Sequence, residues 1–215
     1  MIFTRKPPKR KYKNYTGYRP SLRHDFKNRC AYCLTHEFFV GGEAGFEIDH
    51  FRPQRGTYGR PDLVAEYTNL YWSCGECNSK KGEVWPSPDD ESQGFCYIDP
   101  CTPEGDHEKH WRFHRDGSLE ALTLSGEYTE EKLLLWRPFL QNRRQQQFDD
   151  QEDEQNISEK LTRKNVNAER RAELEHRLTE IRKRLTPPAF DRVRQGDRSV
   201  TMSPKQASSS ASTDR

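Results

Sequence analysis

Phe46-Glu47-Ile48-Asp49-His50-Phe51-Arg52-Pro53 stands between two cysteine pairs, Cys30-Ala31-Tyr32-Cys33 and Cys74-Gly75-Glu76-Cys77. The stretch reads as a short strand, and Arg52-Pro53 ends it because proline has no N–H with which to continue a ladder. The run from Gln54 to Asp62 is polar and carries two glycines and a proline, a loop composition. At Asn69-Leu70-Tyr71-Trp72 the chain turns apolar again, which predicts a return strand. A helix starting near Cys77 then completes a β-β-α unit.

The cysteine pairs supply four thiolates in two tight turns, the arrangement that closes a tetrahedral structural Zn²⁺ site. Forty residues separate Cys33 from Cys74, more than a zinc ribbon needs. Something is therefore folded between the two knuckles, and Asp49, His50 and Asn69 lie in that insert. A second group, Cys96, Cys101, His107, His110 and His114, is read without a metal. His110, Arg112 and His114 alternate with Trp111 and Phe113, as a half-exposed strand requires.

Read outward from the cysteines, the order Cys30-x-x-Cys33, Glu47-Ile48-Asp49-His50-Phe51-Arg52-Pro53, Asn69-Leu70, Cys74-x-x-Cys77-Asn78-Ser79-Lys80-Lys81-Gly82 resembles the HNH family of ββα-metal nucleases in its four-cysteine zinc-binding form. The resemblance covers residues 28–84. It implies an α+β fold with a ββα-metal core stapled by zinc at Cys30, Cys33, Cys74 and Cys77, and a metal-dependent endonuclease acting on double-stranded DNA. By the same resemblance His50 is the general base that activates water, a task suited to a side chain of near-neutral pKa. Asp49 and Asn78 would hold a catalytic Mg²⁺ or Mn²⁺, since hard oxygen donors favour those ions. Asn69 would fix the imidazole through the backbone or a side-chain hydrogen bond, and Arg52, Lys80 and Lys81 are expected at DNA phosphates. A weaker similarity, from Ile98-Asp99-Pro100 to Arg115-Asp116-Gly117 and from Leu135 to Arg144, is to bacterial HNH effectors of Septu-type phage-defence systems, which implies an ATPase or sensor partner. Two further readings stay open: a restriction-type enzyme with its own target sequence, and a zinc-stabilised nucleic-acid-binding module without catalysis.

The rest of the chain is read as appendages to that core at 30–85. Residues 1–29 form a basic arm with ten Lys and Arg against the single acid Asp25, and Lys9, Arg10, Lys11 and Lys13 are its candidate DNA contacts. An extension at 86–148 holds a hairpin about Asp116-Gly117 and a helix capped near Thr129 and ended or kinked at Pro138. A charged helix is expected over 149–186, with Leu174, Leu178, Ile181 and Leu185 as a narrow apolar stripe. That stripe packs on its own domain or, as a second reading, in a coiled coil. The Ser-rich tail at 187–215 is expected to be disordered. No stretch approaches the roughly eighteen apolar residues of a membrane span, and the first residues lack the apolar centre of a signal peptide. A cytoplasmic location is expected, and with it reduced, metal-ready cysteines.

Overall fold

The computed structural model describes residues 3–163 and 165–186; the expectation of a disordered tail at 187–215 lies outside them. Strands β1 (Phe46–His50) and β2 (Leu70–Cys74) pair antiparallel, with Phe46 opposite Cys74 and His50 opposite Leu70. Helix α2 (Gly75–Lys81) leaves β2 directly, with Cys74 as its N-cap residue, and it stops at Gly82, whose φ of 52° suits a residue without Cβ. Alternation places Phe46, Ile48 and His50 on one face of β1, and Glu47 and Asp49 on the face that meets α2. Every residue of β2 is buried, because the two-stranded sheet is covered on both faces.

One cover comes from the basic arm. Arm residues Tyr18, Leu22 and Phe26, the last two on or just after helix α1 (Arg19–Asp25), are buried in the main core, as is Phe3. Arg19 lies over the Trp72 ring and bonds Glu43, and Arg5 lies over Tyr71. The boundary expected at residue 29 is therefore not a structural one: the arm's aromatic and aliphatic residues build the core, while Lys9, Arg10, Lys11 and Lys13 stay exposed. Dense charge around scattered apolar residues hid that packing in the sequence, because long Arg stems can lie along apolar surface with their heads at the edge.

The short helices α3 (Pro88–Ser92) and α4 (His107–His110) lead into a hairpin of β3 (Trp111–Phe113) and β4 (Leu119–Ala121), closed at Gly117 with φ 79°. His110 belongs to α4 and not to the strand. Helix α5 (Leu124–Leu133) begins at Thr123, whose side chain accepts from the Gly126 N–H, so the cap lies six residues before the expected Thr129. Pro138 starts a helix where an end or a kink was expected. Proline at the first helical position costs no hydrogen bond, and α6 runs from Pro138 to Leu161.

The charged helix expected over 149–186 is in fact the end of α6 and a second helix, α7 (Ala168–Leu185), capped by the Asn167 side chain. They run antiparallel, with Arg184 on Asp150, Arg177 on Asp153 and Arg171 on the Leu161 carbonyl. Ile157, Leu174, Leu178 and Ile181 are buried between them, with Leu161 and Leu185 packed against them. Burial of each such side chain is worth about 1.5–3 kcal/mol, against about 1 kcal/mol or less for an exposed ion pair. The stripe is thus satisfied within the chain.

Candidate active site and metal centre

The ligand-bearing atoms of Cys30, Cys33, Cys74 and Cys77 all lie within 4.8 Å of one another. Four sulfurs around one Zn²⁺ at about 2.3 Å would stand about 3.8 Å apart, and Cys33 and Cys74 are at 3.9 Å. The cluster is buried except for the half-buried Cys33. Its protons are shared unevenly: hydrogen bonds from Cys30 and the other thiols hold Cys33 well below the ordinary thiol value, while bonds to Cys30 and Cys33 push Cys74 and Cys77 up. A cation in place of those protons removes the conflict, and the Arg137 guanidinium, 3.3 Å from the Cys77 sulfur, offsets part of the remaining negative charge. The four thiols can hold one metal ion.

At the end of β1 the His50 imidazole is fixed at both nitrogens. Nε2 is 2.9 Å from the Val64 carbonyl oxygen, and Gln54 Nε2 is 2.9 Å from Nδ1. A carbonyl only accepts, so Nε2 carries the proton and Nδ1 keeps the basic lone pair. The Gln54 amide occupies the place a water would take on Nδ1. The Tyr15 ring stands edge-on at 4.7 Å. Burial holds the imidazole below its usual pKa, a shift that the Val64 bond and the neighbouring Asp49 oppose and Lys81 assists.

Asp49 is buried, with Lys81 Nζ 3.2 Å from Oδ1 and the Tyr32 hydroxyl donating to Oδ2. Burial, followed by the field of Asp49, pushes the Tyr32 hydroxyl well up, so it stays a donor. Lys81 also donates to the His50 carbonyl at 2.7 Å and is fully buried. Its expected place at DNA phosphate is therefore a correction: Lys81 shares the inward face of α2 with Asn78, three residues earlier, while Lys80 stays exposed. Removing one partner of such a buried pair costs about 3–5 kcal/mol.

Asn69 does not touch the imidazole. Its side chain accepts from the Arg52 N–H at 2.8 Å and donates to the Arg52 carbonyl at 3.0 Å and the Leu63 carbonyl at 3.4 Å. It thereby ties both ends of the loop that presents Val64 to His50, so of the two expected routes to the imidazole it takes the backbone one. Asn78 donates to Glu47, two residues before Asp49 on the same face of β1. Arg52 is not free for phosphate: it pairs with Glu91 at 2.8 Å and lies over the Trp85 ring. Lys9, Arg10, Lys11 and Lys13 are exposed and precede Tyr15 at the imidazole, so the basic segment borders the His50 site.

Sequence reading did not single out Tyr32, Gln54 or Tyr15, nor Glu47 as the partner of Asn78. Glu47 had a signal in its i, i+2 relation to Asp49; the others depend on loop closure. The second cysteine–histidine group stays dispersed. Cys96 meets Ser125, His110 meets Thr123, His114 meets Glu120, and His107 is buried against Trp111. Among the described residues only the four-cysteine group assembles as a metal centre, and no helix is long and apolar enough to cross a membrane. Comparison with protein-family models, with curated proteins and with solved structures gives no match to this chain.

Proposed function

We propose that this chain is a metal-dependent HNH-type endonuclease that hydrolyses DNA phosphodiester bonds. The observation that carries the reading is the His50 imidazole, held at the end of β1 with its Nε2 proton on the Val64 carbonyl and its Nδ1 lone pair beside the amide of a loop glutamine. Once Gln54 turns aside, Nδ1 takes a proton from a water aimed at phosphorus, and the Val64 carbonyl supports the imidazolium that results. Asn69 keeps the loop, and so the imidazole, in register. In this reading the cysteine cluster holds Zn²⁺ as a staple between the turn at Cys30–Cys33 and the β2–α2 junction.

The residues between β1 and α2 also fit a hard divalent cation. Each carboxylate oxygen has two lone pairs, so Lys81 and Tyr32 leave acceptor capacity on Asp49, and the Asn78 side-chain oxygen has no hydrogen-bond partner among the described residues. Asp49 and Asn78 would hold Mg²⁺ or Mn²⁺, which supplies charge stabilisation at the scissile phosphate and leaving oxygen. The experiment is cleavage of plasmid DNA by the purified chain. Cutting is expected with Mg²⁺ or Mn²⁺ and is expected to stop in EDTA, with Asp49→Ala requiring more metal for a lower rate. Full cutting in EDTA would remove the divalent ion from the mechanism.

The exposed arm gives a separable prediction. Neutralising Lys9, Arg10, Lys11 and Lys13 together is expected to weaken DNA binding and to reduce the slope of log affinity against log salt by up to about 0.9 for each phosphate no longer neutralised. The cleavage rate at saturating protein should stay near wild type, and an unchanged salt slope would place the DNA elsewhere. Similarity of the 98–117 and 135–144 runs to Septu-type effectors extends the proposal to a phage-defence nuclease delivered by an ATPase partner. Whether an ATPase is encoded beside the chain and co-purifies with it tests that extension.

A further inference from the structure

Helix α6, the turn around Cys33 and the β3–β4 hairpin enclose a cavity of about 840 Å³ that the nuclease reading does not use. Its volume falls within the range of small-molecule sites, about 300–1,000 Å³. Four arginines line it, Arg29, Arg112, Arg143 and Arg144, with Lys27 and the rings of Phe39, Trp111, Phe113 and Phe148. Arg112 pairs with Glu120, and Arg144 donates to the Gly117 and Leu135 carbonyls. Neither Arg29 nor Arg143 has a carboxylate within ion-pair distance among the described residues. Arg29 donates to the Leu34 carbonyl, and Arg143 makes no hydrogen bond among the described residues and rests 3.6 Å over the Phe39 ring. Asp106 and Glu108 add carboxylates to the wall.

Two half-buried guanidinium groups with no carboxylate at ion-pair distance are costly to hold on one cavity wall. Burial holds Arg143 below the usual guanidinium value, a shift that the Asp150 carboxylate opposes. His36, buried beside Arg29, has its pKa lowered to about 4 by burial and by that arginine, and its Nδ1 accepts from the Phe38 N–H. It adds no charge near neutral pH. Arg29 and Arg143 are thus without an ion-pair partner among the described residues, their planar forks match phosphate oxygens, and the apolar walls are aromatic surfaces on which a base can stack.

We propose that this cavity binds a nucleoside phosphate, with Arg29 and Arg143 on the phosphate and the aromatic wall on the base. The ligand is either a free nucleotide or the phosphorylated end of a strand. The cavity also borders Tyr32, whose hydroxyl holds Asp49, so the two sites share one side chain.

Calorimetric titration of the full chain with AMP, ATP, adenosine, inorganic phosphate and a 5′-phosphorylated tetranucleotide tests the proposal without any cleavage assay, so its failure is distinct from failure of the nuclease reading. AMP or the tetranucleotide is expected to bind at least tenfold more tightly than adenosine or phosphate alone. Whichever of the two binds more tightly names the source. Arg143→Gln and Arg29→Gln are each expected to weaken that binding at least tenfold. Because Arg143 bonds no described residue, its replacement is expected to leave the fold intact, and an unchanged melting temperature checks this. No binding of any nucleotide at millimolar concentration, wild-type affinity in Arg143→Gln, or phosphate bound as tightly as AMP would each overturn the assignment.

Discussion

His50→Ala is expected to slow single-turnover DNA cleavage by about 10²–10⁴-fold, the usual contribution of a positioned general base, while DNA affinity and its salt dependence stay at wild-type values. The separation follows from where the residue sits. The His50 backbone carbonyl, which Lys81 uses, survives the substitution, and the side chain's own partners are the Val64 carbonyl, Gln54 and the Tyr15 ring. None of these belongs to the cysteine cluster, and the exposed basic segment does not depend on the imidazole. Truncation of a buried ring costs stability, so the melting temperature is measured beside the rate, with His50→Gln as a variant that keeps most of the volume. Both variants are expected to remain folded at assay temperature and to be slow at saturating protein. Cleavage by folded His50→Ala at close to the wild-type rate would refute the proposed mechanism and leave the chain as a zinc-stabilised binding module.

Cys74→Ser is expected to abolish binding of about one zinc per chain and, with it, the folded core. Structural zinc contributes about 10 kcal/mol or more to folding in small sites, against a net stability of about 5–15 kcal/mol for a whole domain. Cys74 is the last residue of β2 and the N-cap of α2, and its cluster joins both to the turn at Cys30–Cys33. Loss of the ion therefore frees the strand that carries Leu70, Tyr71 and Trp72 and the helix that carries Lys81, all fully buried. The checks are metal analysis of purified protein and thermal unfolding with and without a strong chelator. Cys96→Ser is the control, since among the described residues the Cys96 sulfur meets Ser125, outside the cluster, and the variant should keep both the zinc and the melting temperature. Metal-free protein that unfolds at the wild-type temperature would show that the thiols pack as small apolar groups and staple nothing.

The sequence by itself determined those features whose physics is local. Each CxxC turn brings its own two sulfurs together, and the pairing of β1 with β2 carries the second pair to the first. Two short runs of strand-forming residues ended by Pro53 and by the second cysteine pair produced β1 and β2, and an Asp-Gly turn produced the β3–β4 hairpin. The mixed α+β class followed from these elements. Tertiary structure alone decided what depends on residues far apart in the chain. A basic terminal segment supplied Phe3, Tyr18, Leu22 and Phe26 to the core, since burial of scattered apolar side chains outweighs the charge between them when the charged heads can reach solvent. Of two adjacent lysines, helix phase sent Lys80 to solvent and Lys81 beneath Asp49. Asn69 braces a loop instead of a ring, because closure of the 51–69 segment set which carbonyl faces His50. Helix–helix packing divided a continuous charged stretch into α6 and α7, with Asn167 as the cap of the second, because the apolar stripe found its partner in the preceding helix of the same chain.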